Sequence, residues 1–195
     1  MKVILGSNSS RRKEILSFFQ LDFIQTSPKF DEEHEEFIDD KPDEYCVNIA
    51  EKKAQSLIND YPNDIILTAD TIVYCKKNIY NKPKNEKEAF IILQELMGQW
   101  HSVYTGVCVM KNGKKISKAE ETKVLFHSLT EKQIRTYHNH FYYLDKAAGY
   151  AIQGSGSIIV KCIEGCFYNI MGLPINTTKD LLYNIGINLW DHLSK

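Results

Sequence analysis

The stretch Ile65-Ile66-Leu67-Thr68-Ala69-Asp70-Thr71-Ile72-Val73-Tyr74 is apolar almost throughout and is interrupted by a single aspartate. Ile65 to Ala69 is a continuous apolar run, the pattern of a strand covered on both faces. Ile72-Val73-Tyr74 continues it. A strand of this kind needs further strands beside it and helices above and below it, and the flanking sequence predicts both.

Upstream, Val3 to Leu5 reads as a short buried strand, and Asp22 to Thr26 as a second one ended by Ser27-Pro28. Between them Ile15, Leu16, Phe18 and Phe19 recur at helical spacing. Asp43 to Ile58 predicts a helix with Val47, Ala50, Ala54, Leu57 and Ile58 on one face. Downstream, Lys77-Asn78 suggests a turn and Lys82-Pro83 breaks the pattern. Asn85 and Glu88 then form a capping-box-like start to a helix whose buried face is Ala89, Ile92, Leu93 and Leu96. Asn112-Gly113, flanked by Val103–Met110 and Lys115–Phe126, is a strong hairpin signal. Thr130 and Gln133 open another helix. Ile158-Ile159-Val160 reads as a buried strand, and a last helix starts at Asn176 or Thr177 and stops at Gly186. Interleaved strands and helices with one hairpin predict an α/β fold with a mixed twisted sheet and flanking helices. The length, 195 residues, predicts a single domain over residues 1–195. Neither GxGxxG nor GxxxxGK[ST] occurs, and the order is not a clean βαβαβ succession.

Charge is balanced, with 24 Lys+Arg against 25 Asp+Glu. The chain therefore has no global field for nucleic acid or an anionic membrane, and any anion site must be local. No apolar run approaches a membrane span. The N-terminus is interrupted by polar residues from Gly6 to Arg12, unlike a signal peptide, so a cytoplasmic location is expected. Cys46, Cys75, Cys108, Cys162 and Cys166 are scattered and read as reduced thiols; the Cys162/Cys166 pair lacks the second pair of a zinc site. His138 and His140 lie in an aromatic patch and are weak metal candidates.

Several polar residues stand out. Ser7-Asn8-Ser9-Ser10-Arg11-Arg12 joins a strand to a helix, where free N–H groups, hydroxyls and guanidinium forks suit a phosphate. Serines capping a helix beside solvated arginines is the ordinary alternative. Adjacent helical residues point about 100° apart, so Arg11 and Arg12 have different tasks. Asp70, at the end of an apolar run, suits binding a divalent cation, activating water, or both; an aspartate capping a turn is the alternative. Glu33 lies in the acidic run Asp31–Glu36. Lys53 and Lys82 in isolation are ordinary surface lysines, though Pro83 stiffens the chain beside Lys82. Gln153 is flanked by glycines, and its amide both donates and accepts, as base recognition requires.

Together these segments resemble the Maf family of nucleoside triphosphate pyrophosphatases. The resemblance runs nearly end to end through Ser7–Arg12, Ala69-Asp70-Thr71-Ile72, Lys82-Pro83, Gly98–Gly106, Asp145–Gly154 and Asn169-Ile170-Met171-Gly172-Leu173-Pro174. It implies two lobes around a cleft, a fold related to the inosine triphosphate pyrophosphatases, and hydrolysis between the α and β phosphates. It implies a divalent metal (Mg, Mn or Co) held by Glu33 and Asp70, with Asp70 also the proton acceptor. Ser7, Arg12, Lys53 and Lys82 would cradle the phosphates; the family's Ala-x-x-Lys-Ala spacing selects Lys53 over Lys52. Arg11, Thr71 and Gln153 fall at positions linked to base selection, in the combination of the subgroup acting on dTTP and UTP. A nucleoside triphosphate is thus the expected partner, nucleic acid and membrane are not, and a homodimer is expected. The alternatives are a pyrophosphatase for 7-methyl-GTP or another modified nucleotide, and a nucleotide-binding cell-division regulator without turnover. This chain departs from the family pattern at Ser10 (usually proline), Gly6 (usually alanine) and Ala148-Gly149 (usually Gly-x).

Overall fold

The structure is a computed structural model and describes residues 2–32, 35–37 and 40–194. A mixed seven-stranded sheet runs through it in the order β2-β1-β3-β5-β6-β7, with β4 paired to β3. The strands are β1 (Val3–Gly6), β2 (Phe23–Thr26), β3 (Ile65–Cys75), β4 (Asn78–Tyr80), β5 (Trp100–Lys111), β6 (Lys114–Phe126) and β7 (Val160–Glu164). The helices are α1 (Ser10–Leu16), α2 (Pro42–Gln55), α3 (Glu86–Leu96), α4 (Glu131–His140), α5 (Phe167–Ile170) and α6 (Ile175–Tyr183). Strand β1 is parallel to both β2 and β3, whereas β5 is antiparallel to β3. Among the described residues no helix is long and apolar enough to cross a membrane.

Strand alternation sorts the core into layers. Leu5, Leu67 and Ala69 face α1 and α6, packing with Ile15, Leu16, Leu181 and Leu182. Ile4 and Ile66 face the other way, onto Ala50, Ala54 and Leu57 from α2 and the segment after it. Farther along, Val73 and Cys75 enter a third cluster with Leu93, Leu96, Val103, Phe126, Ile134 and Tyr137. Strand β3 therefore belongs to all three clusters.

Most elements form where the sequence predicts them. Asn85 Oδ1 accepts from the Glu88 N–H, and Thr130 with Gln133 forms a reciprocal capping box. Asn112 and Gly113 both have positive φ, 48° and 77°, as a type I′ hairpin requires. Three expectations are corrected. The turn after β3 is Lys76-Lys77, with φ of 49° and 68°, so a second hairpin is made without glycine. Ile158 and Ile159 lie in a 3-10 turn, and the strand starts at Val160. The last helix begins at Ile175, with Pro174 before it.

The pairing of β3 leaves a gap along one edge. Strand β5 occupies one edge from Ile66 to Tyr74. On the opposite edge β1 covers Ile65 to Thr68 and β4 covers Val73 to Cys75. Between them, Ala69 to Ile72 pairs with no strand among the described residues. That gap lies beyond the carboxyl end of β1, where open α/β sheets hold ligands.

Two expected outcomes follow from the packing. Gly106 sits opposite Asp70 in the sheet, directly beneath α2. A Cβ there would stand 2.4 Å from the Cys46 carbonyl and the Val47 nitrogen, which are helix backbone. Gly106→Ala is expected to push α2 off the sheet and cost about 3 kcal/mol; urea unfolding checks this. His101 is buried against Phe126 and Tyr150, at ring-centroid distances of 4.5 and 5.6 Å. Burial pushes its imidazole from 6.5 down to about 4. The unfolded chain therefore takes up a proton across that window which the native state refuses, so stability falls as pH drops through it. Its share is about 3 kcal/mol by pH 4. Unfolding at pH 7, 6 and 5 is expected to show a steeper loss in the wild type than in His101→Gln.

Candidate active site

Arg12 is held by three chain segments at once. Its Nε donates to the Gly172 carbonyl at 2.7 Å, Nη1 to Ser7 Oγ at 3.2 Å, and Nη2 to Thr71 Oγ1 at 3.0 Å. A guanidinium has five N–H groups, so each terminal nitrogen keeps one to spend elsewhere. All three acceptors are neutral, and no carboxylate lies within ion-pair distance of Arg12 among the described residues. Desolvation lowers the Arg12 pKa, while Asp70 and Glu32 act in the opposite direction across the site. Part of the side chain stays accessible. A partly desolvated cation with a free N–H on each terminal nitrogen is suited to an incoming anion.

Local sequence explains this placement. Ser9, at the N-cap of α1, accepts from the Arg12 N–H at 3.4 Å. Ser7 is thereby left to receive the Arg12 side chain, and Gln25 fixes the turn by donating to the Ser7 carbonyl at 2.8 Å. Gly172 has φ of 101°, which L side chains rarely adopt, and a Cβ there would stand 3.2 Å from Thr71 Oγ1 and 3.4 Å from Arg12 Nε. Only glycine presents this carbonyl without crowding the pair.

Below Arg12 runs a buried chain of hydrogen bonds. Thr105 Oγ1 donates to the Asn169 carbonyl at 3.0 Å. The 2.9 Å contact between Thr71 and Thr105 must then carry the Thr71 proton. Asn169 Nδ2 in turn reaches the Val103 carbonyl and Thr122 Oγ1, each at 3.0 Å. Thr71 thus accepts from Arg12 and donates to Thr105, and among the described residues its hydroxyl bonds to neither Arg11 nor Gln153.

The opposite face of the sheet contributes the acidic half. Lys53, projecting from α2, donates to Asp70 Oδ1 at 2.7 Å. Both residues are buried, at 8% exposure each. The same ammonium ion-pairs with Glu32, whose other oxygen is 3.8 Å from Lys82 Nζ. Burial works to raise the Glu32 pKa, but Lys53, Lys82 and Arg12 outweigh it and hold the carboxyl below its ordinary value. Tyr45 borders this cluster: burial and the charges of Asp70, Glu32 and Glu35 push its hydroxyl up. Successive residues of β3, Asp70 and Thr71, thus serve opposite faces, and the gap in the β3 edge is where the faces meet.

The remaining candidates lie to one side. Arg11 Nη1 pairs with Asp145 Oδ2 at 3.1 Å, and Nη2 reaches the Asp145 carbonyl at 3.4 Å. Burial works to raise the Asp145 carboxyl, but Lys146 and Arg11 hold it below its usual range. Gln153 Nε2 approaches Glu14 Oε2 at 3.5 Å.

Glu33 lies outside the described residues; its neighbour Glu32 meets Lys53 and Lys82. Glu32, Tyr45, Asp145 and Gly172 were not singled out from sequence. Asp145 and Gly172 belong to quoted motifs, whereas nothing in the acidic run distinguishes Glu32 from the acids beside it. Cys162 and Cys166 are free thiols, and no cluster of three or more His, Cys, Asp or Glu side chains suited to a metal occurs among the described residues. The donors that do converge are the two carboxylates Asp70 and Glu32, which already share one cation, the Lys53 ammonium. Hard oxygen donors of this kind fit a divalent ion such as Mg²⁺. A cavity of about 440 Å³ lies elsewhere, lined by Tyr74, Trp100, Lys123 and Glu164 among others. Its lining has two lysines, Lys76 and Lys123, but a single carboxylate, Glu164, so it lacks the paired acids that Asp70 and Glu32 supply at the β3 gap.

The chain is 42% identical over 193 residues to the dTTP/UTP pyrophosphatase of Chlamydia caviae, covering 98% of each chain. It is 42% identical over 180 residues to the dTTP/UTP pyrophosphatase of Pyrococcus abyssi, covering 92% of this chain and 94% of that one. It is 39% identical over 194 residues to the nucleoside triphosphate pyrophosphatase of Chlamydia muridarum, covering 99% and 98%. The profile of the family described as Maf-like protein matches residues 2–185, and the chain belongs to that family.

Proposed function

We propose that this protein hydrolyses dTTP and UTP between the α and β phosphates, releasing the nucleoside monophosphate and pyrophosphate and so clearing these nucleotides from the pool. The observation that carries the reading is Arg12, a partly desolvated cation with neutral supports, set across the β3 gap from the Lys53–Asp70–Glu32 cluster. The near full-length likeness to pyrophosphatases named for dTTP and UTP supports the choice of substrate.

Arg12 grips phosphate oxygens with its two free N–H groups, and Ser7 adds a hydroxyl. Lys53 and Lys82 supply cations from the other side, exchanging Glu32 for phosphate. Thr71 serves this phosphate side by holding Arg12 in place. Asp70 accepts the proton of the water that attacks the α phosphorus, and pyrophosphate leaves with the electron pair of the broken P–O bond. Preorganised cations at the developing oxyanions are usually the largest catalytic contribution. A divalent metal held by Asp70 and Glu32, with Glu33 a further candidate, would add charge neutralisation on the phosphate oxygens. Arg11 and Gln153 face the base.

A pyrophosphate-release assay over the standard and modified nucleoside triphosphates, with Mg²⁺, Mn²⁺ or Co²⁺, tests the reading. Release from dTTP and UTP above the others is expected; tight binding without release would contradict it. Asp70→Asn is expected to lower kcat at least about 100-fold with the fold retained by circular dichroism, and to lower the melting temperature because buried Lys53 loses one of its two carboxylates. Near-normal turnover in that variant would remove Asp70 from the role of base. Arg12→Lys keeps the charge and loses the fork. It is expected to reduce kcat/KM about tenfold for every nucleotide alike, whereas Arg11→Ala changes which nucleotide is preferred.

A further inference from the structure

Gln153 carries an ambiguity that decides what it reads. Its amide has an acceptor oxygen and a donor nitrogen, and the two ends are interchangeable by rotation. A base whose ring nitrogen bears a proton needs the oxygen. A base whose ring nitrogen has a lone pair needs the NH₂. Without a partner to fix it, the amide serves both.

Glu14 is that partner. It lies three residues after Arg11 on α1, so the two side chains are neighbours on one helix face. Gln153 Nε2 points at Glu14 Oε2 across 3.5 Å. The separation is long for a hydrogen bond, yet the orientation does not depend on its strength. An ionised carboxylate only accepts, and the reversed amide would set oxygen against oxygen. The Glu14 charge therefore keeps the NH₂ toward itself and turns Oε1 away as an acceptor. Arg11 is aimed in a similar way, by the side-chain and backbone oxygens of Asp145, and it presents donors only.

We propose that Glu14 is a positioning residue that fixes the Gln153 amide, so that the pair Arg11 and Gln153 offers a donor beside an acceptor and selects a base with a carbonyl next to a ring N–H. Uracil and thymine present that pattern at O4 and N3–H. Cytosine presents its inverse, an amino group beside a bare N3. The inference rests on the proposed pyrophosphatase reading and on the placement of the base beside Arg11 and Gln153. It assigns the discrimination between UTP and CTP to a residue that need not touch either.

Glu14 is exposed, so replacing it tests selectivity rather than folding. The readout is the ratio of kcat/KM for UTP to that for CTP, by pyrophosphate release. In Glu14→Gln the partner amide is itself reversible and no longer dictates the direction of Gln153. The ratio is expected to fall about tenfold. In the exchanged pair, Glu14→Gln with Gln153→Glu, the new amide donates to the new carboxylate, whose second oxygen still accepts from N3–H, and the wild-type ratio is expected to return. A purely structural role for Glu14 would not give that recovery. An unchanged ratio in Glu14→Gln, or no recovery in the exchanged pair, overturns the role of Glu14 while leaving the pyrophosphatase reading standing. A wild type that releases pyrophosphate from UTP and CTP equally overturns the base reading and this inference with it.

Discussion

The Arg12 guanidinium is drawn out of water and given neutral oxygens to hold it. The Gly172 carbonyl, Ser7 and Thr71 fix its direction, and among the described residues no carboxylate pairs with its charge. Desolvating a cation without a carboxylate partner costs stability, typically several kcal/mol for a fully buried ion. Much of the surrounding structure can be read as support for that cost. The buried line from Thr71 through Thr105 to Asn169 orients the acceptor below it. The left-handed turn at Gly172 brings a carbonyl to Nε. A charge held this firmly, on neutral acceptors among the described residues, is preorganised for an anion.

The same economy appears on the other face. Lys53 is satisfied by Asp70 and Glu32, so the ligand-free site is electrically quiet there. Strand β3 makes the two halves meet. Because alternate residues face opposite ways, Asp70 belongs with α2 and Thr71 with α1. Because the pairing with β1 ends at Thr68 and the pairing with β4 begins at Val73, the edge between them carries no strand among the described residues. Gly106 lets α2 lie close enough for Lys53 to reach Asp70.

How much of this was legible in the sequence depends on the range of the cause. The β5–β6 hairpin was readable because Asn112-Gly113 is a local conformational requirement, and the α3 and α4 starts because Asn85 and Thr130 cap their own helices. The Lys76-Lys77 turn was not, because its positive φ values are imposed by the pairing of β3 with β4 and not by the residues themselves. The strand placed at Ile158 was misplaced because a short apolar run does not distinguish a strand from a 3-10 turn, and here Ile159 is buried while Ile158 faces solvent. In the site, Arg12, Lys53 and Asp70 carried recognisable motifs. The division of Asp70 and Thr71 between faces needed the strand to be seen whole. Glu32 was hidden because choosing among neighbouring acids requires knowing where Lys53 lies.

The account turns on the β3 gap as the place where the two faces grip one triphosphate. The most direct measurement is a crystal structure of the Asp70→Asn variant with Mg²⁺ and α,β-imido-dUTP, whose scissile bridge resists hydrolysis. The account predicts the triphosphate over Ala69–Ile72, with Arg12 on one side, Lys53 and Lys82 on the other, and the base beside Arg11 and Gln153. A nucleotide seated in the cavity beside Trp100, or one whose phosphates touch only one face of the sheet, would contradict it.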